Sequence, residues 1–130
     1  MTAKGTFNID NWTPQPPYDD RDGIQLGQVT LAKTFHGDLT GTSMVTMLVA
    51  GTEVEDSRSY VAIERIDGTL DGRQGSFVVQ HSAASDRGKQ SLTISVVPDS
   101  GTGELRGLRG TMDIDIAPDG SHSYTLEYSL

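Results

Sequence analysis

Apolar and polar residues alternate with a period of two along almost the whole chain, and turn residues interrupt the alternation at short intervals. A helix needs an apolar stripe recurring at about 3.6 residues, and no segment holds that period. The pattern therefore predicts an all-β domain, with strands near residues 4–12, 24–36, 40–50, 58–67, 74–82, 90–98, 109–117 and 122–130. Eight antiparallel strands suit a closed barrel or a sandwich. The acidic, proline-bearing segment Thr13 to Gly23 is expected as a surface loop after the first strand. No comparable shift in composition follows it, so residues 1–130 read as one domain.

Strand parity assigns faces. Phe77, Val79 and His81 share one face, while Ser76, Gln80 and Ser82 take the other, so His81 should point inward. In the last strand His122, Tyr124, Leu126, Tyr128 and Leu130 form one face, which brings two tyrosine hydroxyls into the interior. The strand around Tyr60 to Ile66 is ambiguous, because Tyr60, Ala62, Glu64 and Ile66 compete with Val61, Ile63 and Arg65 for the core. Glu64 is the preferred inward residue. Its carboxyl can be protonated or can accept hydrogen bonds from His81 and Tyr60, whereas an inward Arg65 would need a buried anion.

Three segments share the pattern G-x-L-x-G: Gly37 to Gly41, Gly68 to Gly72 and Gly103 to Gly107. Each lies between two expected strands. They are read as barrel corners, in which glycine supplies positive φ or close backbone approach and the leucine enters the core. A phosphate-binding loop would need a helix to follow, and none does. The segment from Gly101 to Gly107 misses the dinucleotide fingerprint, and Gly88-Lys89-Gln90-Ser91 lacks the upstream glycine of a P-loop. Neither Asp20-Arg21-Asp22-Gly23 nor Asp113-Ile114-Asp115 supplies the ligands of a calcium loop. His36, His81 and His122 lie on different strands without zinc spacing, so no metal and no cofactor is expected.

Composition narrows the partners. The net charge of -8, with no run of lysine or arginine, disfavours nucleic acid and anionic membranes. There is no cysteine, and the first residues lack the apolar region of a signal peptide, so a cytoplasmic protein is expected.

Five ordered blocks carry a resemblance that runs from Gly5 to Leu130: Gly37 to Gly41, Tyr60 to Arg65, Gly72 to His81, Val97 to Leu105 and Tyr124 to Tyr128. In these the chain resembles a bacterial family of small proteins of unknown function whose structures are like the allene oxide cyclase barrel. The resemblance implies an eight-stranded antiparallel β-barrel with an interior cavity, commonly found as a homo-oligomer, and it carries over no catalytic residue. The plant cyclase is a relative in fold only, which does not license its chemistry.

Three functional readings follow. In the first, the barrel holds a small apolar or amphipathic ligand oriented by Glu64, His81, Tyr60 and Tyr128, with Phe77 and Tyr124 also lining the interior and Trp12 or Tyr18 near a mouth. In the second, an isomerase or cyclase uses the same cavity, with Glu64 as general base or electrostatic stabiliser and His81 as its proton partner. The third is a filled barrel that serves only as an assembly module.

Overall fold

The computed structural model describes residues 1–130. Its strands are β1 (Thr2–Pro14), β2 (Asp19–Arg21), β3 (Ile24–Gly37), β4 (Leu39–Gly51), β5 (Arg58–Leu70), β6 (Arg73–Asp86), β7 (Lys89–Val96), β8 (Arg109–Ile116) and β9 (His122–Ser129). All pairings are antiparallel. The order runs β1-β9-β8-β7-β6-β5-β4-β3, and β1 pairs again with β3. This closes an eight-stranded barrel, to which β2 adds only a short flap on β3.

The turns follow from residues that tolerate positive φ. Asp22-Gly23, Asp71-Gly72 and Arg87-Gly88 each place both residues at positive φ between directly paired strand ends. That is the geometry whose twist matches a right-handed hairpin. The first of these corrects the expected loop at 13–23, since Pro14 still belongs to β1 and the turn folds Asp19–Arg21 back onto β3. Around Asp10 the β1–β3 register slips by one residue, and Asn11 Oδ1 accepts the Ala32 amide across the bulge.

The leucines of the three glycine repeats, Leu39, Leu70 and Leu105, are all buried in one core cluster with Phe35, Phe77 and Tyr124. In the first two repeats Gly37, Gly41 and Gly68 serve close approach, while Gly72 supplies positive φ to its turn. A Cβ on Gly68 would lie 2.0 Å from the Thr40 carbonyl oxygen, directly across from Gly41. The third repeat differs from expectation. It forms a short 3-10 turn, Gly103–Leu105, inside the long β7–β8 connection rather than a corner between paired strands. That connection also covers Ser76, which parity alone assigns to solvent. Ser76 lies within 2.6 Å of the Thr102 hydroxyl, and Ser100 Oγ accepts the Val78 amide.

The two ends of the barrel differ. At one end the large cluster around Phe35, Leu39, Phe77 and Leu126 packs the interior solid. Tyr124 fastens this end, its hydroxyl accepting the Leu39 amide at 2.9 Å and facing the His36 and Leu39 carbonyls. At the other end β8 and β9 stop short. Pairing of β7 with β8 covers only Ile94–Met112 and Ser95–Thr111, and β9 accompanies β1 only as far as Phe7. There β1 and β3 to β7 continue without β8 and β9, and the interior opens to solvent.

Candidate functional site

The inner faces of β3 to β7 carry the polar chemistry in two layers. The outer layer lines a cavity of about 490 Å³ at the open end. Its wall includes Val29, Val49, Tyr60, Ala83 and Leu92, with glutamines and serines at the rim. The one ionic side chain in this wall is Arg58, which is exposed and only loosely paired with Asp56 at 3.8 Å. The Tyr60 hydroxyl titrates above its ordinary range, chiefly through burial and secondarily through the charge of Glu64.

The inner layer is a buried ionic cluster. Glu64 is fully buried, its Oε1 2.7 Å from His81 Nε2 and 3.3 Å from Lys33 Nζ, and its Oε2 accepts the Ser43 hydroxyl at 2.6 Å. Lys33 Nζ also sits 4.6 Å from the centroid of the Phe7 ring, a cation–π contact that offsets part of its desolvation. Burial by itself would raise the Glu64 pKa. The His81 hydrogen bond, the Lys33 charge and the Ser43 hydroxyl outweigh it and hold the carboxyl below its ordinary range.

Strand parity separates the layers. On β5, Ala62 stands between Tyr60 and Glu64, and on β3, Leu31 stands between Val29 and Lys33. Ala62 and Leu31 belong to a small apolar cluster with Val29 and Val45, against which Tyr60 packs. Tyr60 and Val29 line the cavity, and Glu64, His81 and Lys33 do not.

Of the residues singled out from sequence, Glu64 and His81 thus lie together, and Tyr60 lines the open cavity. Phe77, Tyr124 and Tyr128 lie in the packed end. Tyr128 donates to the Asp71 carboxylate, and burial together with this bond pushes its pKa up to about 12. Trp12 is exposed on β1, opposite Leu31. Lys33 and Ser43 join the cluster without any motif to mark them. Lys33 alternates with Val29, Leu31 and Phe35, so parity along its own strand carries the signal. No group of acidic or histidine side chains has the arrangement of a metal site.

No helix is long and apolar enough to cross a membrane. The chain matches no curated protein. A family described as "Protein of unknown function (DUF3224)" matches residues 3–128. The chain is also similar to a solved structure, a protein of unknown function from the DUF3224 family of Shewanella oneidensis MR-1. The two share 44% identity and a TM-score of 0.93, with 100% of this chain and 96% of the other covered. With a family match across nearly its whole length, the chain belongs to the DUF3224 family.

Proposed function

We propose that the protein binds a small amphipathic molecule in the open end of its barrel. The observation that carries this reading is the cavity of about 490 Å³, within the ~300–1,000 Å³ of ordinary ligand sites. Its wall combines apolar surface from Val29, Val49, Ala83 and Leu92 with the Tyr60 ring and hydroxyl, and Arg58 stands at the rim. Such a wall suits an apolar body with one polar or anionic end.

Glu64 and His81 take a structural part in this reading. Both Glu64 oxygens are occupied by donors, and Ala62 and Leu31 intervene between the ionic cluster and the cavity. A general base must reach the proton it removes, and this one faces only its own partners.

The probe is the aromatic anion 8-anilino-1-naphthalenesulfonate, whose fluorescence rises in apolar surroundings. Saturable binding with one site per chain is expected, and Ala83→Trp, which fills the cavity from β6, should abolish it. Binding that is unsaturable, or that is unchanged by Ala83→Trp, contradicts the proposal.

A further inference from the structure

The gap left in the wall by the short β9 is bordered by apolar side chains that face inward yet stay exposed. On β1, Ile9 lies opposite Lys33 and Trp12 opposite Leu31, and both of these partners are buried in the interior. Residues directly opposite in an antiparallel pair share a face, so Ile9 and Trp12 point inward too. On β8, Ile116 lies opposite His122, whose ring packs 5.0 Å from that of the buried Phe7. On β7, Leu92 shares the inner face with buried Ile94 and lines the cavity. These four side chains, Ile9, Trp12, Leu92 and Ile116, are between 40% and 67% exposed. The wall that would cover them is missing, because β9 begins only at His122 and β7 meets β8 only at Ile94 and Ser95.

This cleft is continuous with the cavity, since Leu92 and Pro14, the next inward residue after Trp12, both line the cavity wall. Its place on the ring of strands determines what reaches it. From β5 to β9 the wall runs through β6, β7 and β8 one way and through β4, β3 and β1 the other. The two strands are therefore diametrically opposed, and Tyr60 and Arg58 on β5 look across the cavity toward the gap. A partner protein resting on the outer wall would not touch side chains that point toward the barrel axis. A molecule lying in the cavity would.

We propose that the cleft bordered by Ile9, Trp12, Leu92 and Ile116 holds the apolar tail of the cavity's ligand, which makes that ligand an elongated single-chain amphiphile with an anionic head. The inference rests on the cavity reading and gives it a direction, with the head at Tyr60 and Arg58 and the tail leaving the cavity sideways against Trp12. Apolar surface that the protein leaves in water is then covered by the tail.

Trp12 is the only tryptophan, so its emission reports the cleft alone. The probes are two isomers of bromododecanoate, whose bromine quenches indole emission on contact. The ω isomer, brominated at the tail end, should quench most of the Trp12 emission at saturation, and the α isomer, brominated beside the head, should quench little. Ile116→Glu, a change at an exposed position, should keep the far-ultraviolet circular dichroism spectrum of the parent and weaken ω-bromododecanoate about tenfold, the affinity of one or two buried methylenes. Ile63→Glu, outward on β5 opposite Thr46, should bind like the parent. Equal quenching by the two isomers, stronger quenching by the α isomer, or undiminished binding to Ile116→Glu overturns the inference. So does Trp12 emission that shifts with protein concentration alone, which would give the cleft to a second copy. Binding of 8-anilino-1-naphthalenesulfonate to the parent, measured alongside, reports the cavity. If that probe binds while both bromododecanoates leave Trp12 bright, the tail assignment falls and the cavity reading stands.

Discussion

Glu64 Oε1 is shared between His81 at 2.7 Å and Lys33 at 3.3 Å, so one carboxylate ties β3, β5 and β6 together inside the barrel. Removing one partner of a buried pair strands the other, which costs about 3–5 kcal/mol. Glu64→Gln should therefore lower stability by that order in urea unfolding, because the Lys33 ammonium loses its counter-ion. Adding Lys33→Met should restore much of the loss. The amide that replaces the carboxylate can still accept from His81 and meet Ser43, with no charge left unpaired. A double variant less stable than Glu64→Gln alone would contradict the pairing.

The same cluster fixes a pH dependence. Glu64 has a lower pKa in the folded protein than its ordinary value of 4.5, so the unfolded chain takes up its proton first. Its contribution to stability is complete above about pH 4.5 and is lost as pH falls through the lower native value. Between pH 6 and pH 3 the urea midpoint of the parent should fall further than that of Glu64→Gln. Equal slopes would mean that Glu64 has no shifted pKa.

Histidine accessibility is a third check. His81 is buried, His36 is exposed and His122 is half-buried. Diethylpyrocarbonate should modify His36 fastest and His81 slowest in the folded protein, read by mass spectrometry of peptides. Modification of His81 at its unfolded-state rate would place the β6 register wrong.

The glycines separate two physical costs. Gly107 has φ +81 and open space where a Cβ would stand, so Gly107→Ala should cost only the left-handed backbone penalty, about 1–2 kcal/mol. Gly68→Ala would drive a Cβ into the Thr40 carbonyl and part β4 from β5. It should lower the melting temperature more than Gly107→Ala does, and the reverse order would contradict the close approach.

Much of the architecture is legible in the sequence because period-two alternation and turn glycines act locally. Phe77, Val79 and His81 face inward as parity requires, and so do Ala62, Glu64 and Ile66. What sequence conceals depends on where chain segments end relative to one another. Ser76 is covered because the β7–β8 connection wraps over it, which no property of its own strand announces. The open cavity exists because β8 and β9 are shorter than β3 to β6, a difference that strand pattern blurs at its ends. For the same reason Tyr124 and Tyr128, inward by parity, fall in the packed end and only Tyr60 reaches the cavity.

The central claim is that ligands enter the open end and stop above the ionic cluster. Amide chemical-shift mapping of ¹⁵N-labelled protein titrated with 8-anilino-1-naphthalenesulfonate tests it directly. Saturating shifts should concentrate at Val29, Val49, Tyr60, Ala83 and Leu92, with those at Glu64, His81 and the outward residues of β8 much smaller. Largest shifts at Glu64 and His81, or shifts confined to the barrel exterior, would contradict it.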